Sequence, residues 1–527
     1  MDPVGTITWI VLFVLTTVAI TGIVGRLGWS APVALVVVGG AVSFIPGVPE
    51  VEVQPELILY GILPPLLFAA AIRTSVIDVR ARRDSILLLS VGLVAFTVAV
   101  VGFAAYALVP AITLAAAFAF AAVVAPTDAI AVTAIAGRLG LPRRVVTILE
   151  GESLLNDATA LVALNASIAA IVSSVTPAEI GFEFVVAVVV GTGVGLGVGW
   201  AVTFVRSRLR SAVLDTSLTF VTPFAAFLVG EFLHGSGVLA VVLAGLYLGY
   251  RAPSVSSAEA RVAERLNWRT IKFLLENTVF LFIGLNLQGI LQGAIATGPG
   301  LWPTVGICVG ILAALVASRF AWVMGTTLLY RKGPRRLRER GWAWRNGVAV
   351  SSAGVRGVVT LAAVFLLPKE TPGREYLQFL AFVVVVASLL GGLALPAIIR
   401  RLNLPKPSLV QELAERRLLM AEARQAGIDL LDAQELPEEE KHVAALLRTD
   451  AGFLGETLVT YGPDASIPQL EAKYRLRRAM LDAERAAVLK ARAEGRYQEP
   501  AIVAALQAID AEETALRAQF PKEGEQA

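Results

Sequence analysis

Glu152-Ser153-Leu154-Leu155-Asn156-Asp157 sets two carboxylates, an amide and a hydroxyl inside a stretch that otherwise reads as a lipid-spanning helix. A charged side chain at bilayer depth costs on the order of 3 kcal/mol or more, so intramembrane acids line an ion path, relay protons or pair with a buried cation. At helical pitch Ser153 and Asp157 stand one turn apart on one face, and Glu152 and Asn156 on the adjoining strip. One narrow face therefore carries the chemistry.

The rest of the chain places this run in a membrane. Of its 527 residues, 56% are hydrophobic, gathered in long blocks rather than amphipathic stripes, as a polytopic all-α membrane protein requires. Apolar windows fall near 6–25, 31–46, 56–73, 85–108, 111–136, 144–173, 180–205, 215–233, 236–250, 270–290, 302–330, 346–367 and 376–399, about thirteen spans. The first has no basic leader and no small-residue cleavage site, so it reads as a retained span rather than a signal peptide. The loops after odd-numbered spans carry Arg26, then Arg73, Arg80, Arg82 and Arg83, then Arg138, Arg143 and Arg144, then Arg206, Arg208 and Arg210, and finally the stretches 251–272 and 331–345. The other loops are almost free of Lys and Arg, apart from Lys369 and Arg374. The positive-inside rule then puts the N-terminus outside and the C-terminus in the cytoplasm.

Residues 1–404 form the transmembrane domain in this reading. From Pro405 the sequence turns charged and Ala/Leu-rich, with helical spacing at Leu409, Leu413, Leu418 and Leu419 and again at Leu476, Met480, Leu481 and Leu489. Residues 405–527 thus read as a cytoplasmic helical domain of three or four helices, parted at Pro437, Gly455, Gly462-Pro463 and Pro468. A regulatory or dimer-stabilising role and a plain solvated appendage fit this pattern equally. The net charge of +3 does not suggest nucleic-acid binding, and the single Cys308, in an apolar segment, forms no intrachain disulfide. No nucleophile with a nearby base, no Cys/His metal constellation and no phosphate-binding loop points to an enzyme or to a cofactor.

Two further polar clusters interrupt spans. Pro126-Thr127-Asp128 breaks the fifth: proline frees a carbonyl, and Thr and Asp supply oxygens at the break. Ser351-Ser352-Ala353-Gly354-Val355-Arg356-Gly357 breaks the twelfth, in the other half of the chain, which is the footprint of an inverted repeat with two crossed broken helices. Thr127, Asp128, Ser153 and Asp157 together offer oxygens to a small hard cation; the alternative is a structural kink capped by Asp128. Arg319, deep in the eleventh span, needs an acid, and Glu152 is the obvious one, with Arg356 the competing partner for that acid. With Asp128 near Arg356 as well, only Asp157 is left without a fixed counter-charge. That leaves one carboxylate to alternate between a proton and a metal cation.

Pro126-Thr127-Asp128, the run from Gly151 to Asp157, Gly354-Val355-Arg356-Gly357 and the pair Pro64-Pro65 resemble the signature motifs of the monovalent cation/proton antiporter-1 family. Its bacterial NhaP-type members are relatives of the animal sodium/proton exchangers. The resemblance covers about residues 6–400. It implies a multi-pass protein of a bacterial inner membrane, a homodimer whose core of crossed broken helices moves like an elevator in the lipid bilayer. It implies that Asp157 is the ion-carrying carboxylate, with Asn156 its neutral neighbour and with Ser153, Thr127 and the Asp128 carbonyl as further ligands. Glu152 with Arg319 would be a structural pair, and Arg356 would steady the crossing. Because Asn156 stands where electrogenic relatives carry a second acid, the resemblance implies electroneutral exchange of one cation for one proton.

The expected activity is exchange of cytoplasmic Na⁺, with Li⁺ and K⁺ as further cargo, for H⁺ by alternating access. A K⁺/H⁺ antiporter is the nearest alternative; a gated cation channel and a non-transporting membrane sensor are more distant ones. Weaker positions are Glu150, which faces a cytoplasmic funnel or merely sits near the basic loop, Glu231 and His234 at an outer rim, and Glu276 and Asn277 beside the cytoplasmic path. The series Gly191, Gly193, Gly195, Gly197 and Gly199 reads as close helix packing at a domain or dimer interface.

Overall fold

The computed structural model describes residues 3–27, 30–46, 57–110, 112–128, 141–172, 177–332, 335, 342–405, 409–434, 437, 440–445, 467–494 and 499–519. Among the described residues every regular element is a helix. The first is α1 (Pro3–Leu27), followed by α2 (Ala31–Ser43). Next comes α3 (Leu63–Ala71), entered through a π-helical turn at Leu57–Ile62. Pro64 and Pro65 lie in the first turn of α3, directly after the π-helical turn.

A short α4 (Val76–Ala81) leads to α5 (Arg83–Leu108), which contains a second π turn at Leu88–Leu93. Such a turn frees a carbonyl from the helix ladder, and here Leu88 O accepts the Trp322 indole N–H at 2.9 Å. Then come α6 (Leu114–Val124), α7 (Arg143–Val172), α8 (Pro177–Arg206), α9 (Ala212–Phe232), α10 (Gly237–Val255), α11 (Ala258–Leu285) and α12 (Leu287–Thr297). The first unit ends with α13 (Leu301–Lys332), α14 (Trp344–Ser352), α15 (Val358–Val364), α16 (Arg374–Gly392) and α17 (Leu395–Leu402). Among the described residues seven helices are long and apolar enough to cross a bilayer, the pair α11 and α12, bent by 47°, passes the same test only when taken together, and α1, α2, α3 and α6 contribute shorter apolar helices.

These helices pack in two sets. In one, α5 lies against α6 and α13, α6 against α7, and α13 against α14. In the other, α8 and α9 pack on α10, α10 on α3, and α2 on α11. The second set is drawn together by small residues. At Gly39 on α2 an added methyl would stand 2.5 Å from Leu281 O, so the α2 and α11 backbones touch. The glycines of α8 divide by period: Gly191, Gly195 and Gly199 press on Ser236, Ala240 and Tyr247, while Gly193 and Gly197 face open space. Only every second member of the series therefore packs on a neighbour.

The structure corrects two boundaries. The sequence reading makes 251–272 a basic loop, yet α10 runs to Val255 and α11 begins at Ala258, capped by the Ser257 hydroxyl, which accepts from Ala260 N at 3.2 Å. The segment is an amphipathic helix: Glu264 and Trp268 are buried one turn apart, with Arg265 and Arg269 exposed. Trp268 packs against Phe68, ring centroids 4.9 Å apart and planes tilted by 53°, and donates its indole N–H to Thr219 at 3.1 Å. Arg206, likewise assigned to a loop, is 1% exposed at the end of α8. Its guanidinium donates to Asp215 Oδ1 at 2.6 Å, to the Ser256 hydroxyl at 2.8 Å and to Glu264. Basic residues look alike in sequence whether they meet water or two buried acids.

The second compact unit, 405–527, contains α18 (Leu409–Ala433), α19 (Ile467–Ala493) and α20 (Glu499–Gln519). Leu481 on α19 packs with Ile509 and Leu516 on α20. Arg485 bridges from α19 to Asp510 at 2.7 Å and Glu513 at 2.6 Å, and Arg477 to Glu512 at 2.6 Å. The Gly455 and Gly462-Pro463 breakpoints lie outside the described residues.

Candidate functional site

Two helices end at facing positions inside the first set. After Val124 the α6 chain opens into extended backbone at Pro126-Thr127-Asp128, and after Ser352 the α14 chain opens until α15 begins at Val358. The two openings cross, and Asp128 N donates to Val355 O at 2.7 Å. The continuation of the Pro126 break, 129–140, lies outside the described residues. Every backbone group freed at depth in a membrane needs a partner, and the partners here are fixed side chains. Val124 O accepts from Arg356 Nε at 3.3 Å, and Gly354 O from Arg356 Nη1 at 2.5 Å. Thr127 O accepts the Asn156 amide at 2.9 Å, and Val350 O accepts Arg319 Nη2 at 2.9 Å. Arg356 N in turn donates to the Ser388 hydroxyl at 3.0 Å.

The long helix α7 stands beside this crossing and presents both strips anticipated from its spacing. Glu152 and Asn156, each 1% exposed, form the inner strip. Arg319 Nη1 donates to Glu152 Oε1 at 2.6 Å and Nη2 to Oε2 at 3.2 Å, a two-point pairing of guanidinium and carboxylate. Arg319, not Arg356, is thus the partner of Glu152. The Thr127 hydroxyl donates to Glu152 Oε1 at 3.0 Å and accepts from Asn156 Nδ2 at 3.2 Å, with Arg319 Nη1 at 3.4 Å. In this conformation its oxygen is fully engaged. Asn156 Oδ1 is buried with no hydrogen-bond partner among the described residues.

The outer strip differs. Ser153 and Asp157 are partly exposed, and among the described residues no group hydrogen-bonds to or pairs with Asp157. Burial and the like-signed Asp128 carboxylate both act on it. Asp128 packs against Gly357 at the start of α15, where any side chain would collide with the carboxylate. The glycine is needed for that approach.

Of the sequence candidates, Thr127, Asp128, Glu152, Asn156, Arg319 and Arg356 are linked through this crossing, with Ser153 and Asp157 on its open side. Glu276 pairs with Lys272 at 3.5 Å, and the Asn277 amide donates to Phe273 O of its own helix. Glu231 accepts from Gly237 N at 3.1 Å, a helix cap. Sequence reasoning missed Ser388 and the carbonyls of Val124 and Val350. A lone serine in the apolar run of 382–390 was the available signal for Ser388; carbonyls carry none.

Two broken helices crossing with their backbone satisfied internally, beside a carboxylate, Asp157, that has no counter-charge among the described residues, are the arrangement of a secondary transporter. Residues 12–401 match the family model for the transmembrane sodium/hydrogen exchanger. An uncharacterised Na⁺/H⁺ exchanger of Mycobacterium bovis is 33% identical over 428 residues, covering 78% of each chain. An uncharacterised Na⁺/H⁺ exchanger of Escherichia coli is 30% identical over 92% of this chain and 94% of that protein. The sodium, potassium, lithium and rubidium/H⁺ antiporter of Bacillus subtilis is 31% identical over 72% of this chain and 59% of its own length. The fold matches that of the sodium/proton antiporter MjNhaP1 of Methanocaldococcus jannaschii with a TM-score of 0.64 at 16% identity, over 76% of this chain and 99% of the other. The chain belongs to the sodium/hydrogen exchanger family: it is a polytopic membrane antiporter of monovalent cations and protons, not an enzyme.

Proposed function

We propose that the protein exchanges cytoplasmic Na⁺, and Li⁺, for external H⁺ at Asp157, one for one, by alternating access. The observation that carries this reading is the contrast on α7: Glu152 is neutralised by Arg319, whereas Asp157 is partly exposed with no partner among the described residues. A carboxylate in that position binds a proton or a cation but not both, so exchange falls as the pH drops and protons occupy it. Ser153 and the Asp128 carbonyl complete the cation's oxygens, Asn156 stays neutral beside them, and Thr127 joins when its hydroxyl is released. With a single titrating acid, each cycle moves no net charge. The protein works as a homodimer, with its N-terminus outside, its C-terminus in the cytoplasm of a bacterial cell and Arg356 steadying the crossing.

A K⁺/H⁺ antiporter is the second reading, favoured by the potassium and rubidium in the name of the Bacillus subtilis relative. The deciding experiment is dissipation of a preset pH gradient in proteoliposomes on adding Na⁺, Li⁺ or K⁺, with the membrane potential clamped near zero. Wild type collapses the gradient with Na⁺ and Li⁺, and Asp157→Asn does not; undiminished exchange by Asp157→Asn would refute the assignment. A gradient collapsed by K⁺ alone would establish the second reading.

A further inference from the structure

Two further acids stand between the basic start of α7 and Asp157. Glu150, Ser153 and Asp157 recur at i, i+3 and i+7 on α7, so they share one strip of the helix, with Glu150 about 10 Å nearer the Arg143 end. On α11, Glu276 feels the charge of Asp128, as Asp157 does. Glu150 is exposed, and Ser153, Asp157 and Glu276 are partly exposed, whereas Glu152 and Asn156 on the adjoining strip are buried. Glu150 and Glu276 therefore belong to the open side of the crossing. One ammonium stands by both: besides burial, the charge that acts most on each of them is that of Lys272, ahead of Arg73.

Lys272 holds its acid loosely. Its Nζ lies 3.5 Å from Glu276 Oε1, one turn along α11, and that oxygen is buried without a hydrogen-bond partner among the described residues. Lysine before glutamate is the weaker order for a pair at i, i+4, and a lysine on its flexible stem lacks the two-point grip of an arginine. Arg319, by contrast, holds Glu152 through two bonds of 2.6 and 3.2 Å. We infer that Lys272 is a tethered competitor of the transported cation: its ammonium occupies the approach between Glu150 and Glu276, yields as the cation passes to Asp157, and so sets the concentration at which the cation is drawn in. This rests on the assignment of Asp157 above and on the basic helix ends being cytoplasmic. An ammonium suits the task because it carries the same single charge as Na⁺ and competes for the same oxygens. Removing it leaves two acids facing the approach and raises the local cation concentration. Lys272 does not touch Asp157, so the rate at saturation is unaffected.

The test measures proton exchange against Na⁺ concentration in everted membrane vesicles, whose accessible face is cytoplasmic, at fixed pH, with K⁺ in a parallel series. Lys272→Gln is expected to lower KM for the cation about threefold with kcat unchanged, the order expected for one unit charge in a partly hydrated approach. The difference shrinks as choline chloride screens the charges, which a structural role would not produce. Lys272→Arg keeps the charge and a KM near that of wild type. Arg208→Gln, which removes an exposed charge at the end of α8, leaves KM in place. If Lys272→Gln does not reach the membrane, Glu150→Gln reads the same approach, with KM raised about threefold. An unchanged or raised KM in Lys272→Gln, a loss of kcat, or an equal fall of KM in Arg208→Gln would overturn the inference. The two assignments fail separately: an Asp157→Asn variant that exchanges at the wild-type rate removes the Asp157 reading, whereas an inactive Asp157→Asn beside an unmoved KM in Lys272→Gln removes the role of Lys272 alone.

Discussion

Among the described residues the molecule buries two guanidinium–carboxylate networks, and they have little in common beyond their chemistry. Arg319 with Glu152 stands at broken helices and spends its remaining donors on the freed carbonyl of Val350. Arg206 with Asp215 and Glu264 joins ends of four helices, α8 through α11, that stay helical where they meet, with Ser256 as its third partner. In the first, a neighbouring carboxylate, Asp157, has no partner among the described residues; in the second, both acids are bound to the arginine. A buried ion pair by itself therefore says little about function. What distinguishes the transport region is the combination of opened backbone with an acid that the pairing leaves over.

The largest expected effect tests that leftover acid. Asp157→Asn abolishes exchange without lowering the unfolding temperature, because no bond among the described residues is lost; a large drop in stability would mean that Asp157 is structural. Next come the arginines. Removing either partner from a buried pair costs about 3–5 kcal/mol, so Arg319→Ala and Arg206→Ala should both unfold at markedly lower denaturant. The comparison sharpens when each network is replaced by apolar residues of similar volume. Arg206→Met with Asp215→Leu and Glu264→Met should regain stability and exchange, whereas Arg319→Met with Glu152→Met should regain no exchange, since Val350 O loses its donor and the Thr127 hydroxyl its acceptor. Equal recovery of transport in both would break the distinction.

A smaller effect separates the glycines of α8. Gly195→Ala places a methyl 2.6 Å from Ala240 O and should cost about 1–3 kcal/mol. Gly193→Ala meets open space and should change thermal stability by no more than about 0.5 kcal/mol.

The first network was legible because its residues sit in short local runs that no lipid-facing helix tolerates. Glu152 to Asp157, Pro126 to Asp128 and Ser351 to Gly357 each announce a break or a buried charge from a handful of letters. The scarcity of intramembrane cations narrowed the partner of Glu152 to Arg319 or Arg356, and the assembled structure selects Arg319. The Arg206 network was illegible because its members lie at 206, 215, 256 and 264, two of them beside the water-exposed Arg208 and Arg265, and only the packing of four helix ends brings them together. The 251–272 stretch was misjudged for a related reason: its charges raise polarity on average, while Glu264 and Trp268 follow a helical period that an apolar window smooths away. The Thr127 hydroxyl was visible as an oxygen, but its engagement with three neighbours was not, since hydrogen-bond saturation is a property of the assembled site.

The Arg206 joint also has a mechanical consequence. Four rods riveted at one end cannot turn independently there, so a tilt of any one is passed to the other three. Amide hydrogens around the end of α8, the start of α9, the end of α10 and the start of α11 should therefore open to solvent exchange as one cooperative unit, at a single rate, although they come from separate stretches of the chain.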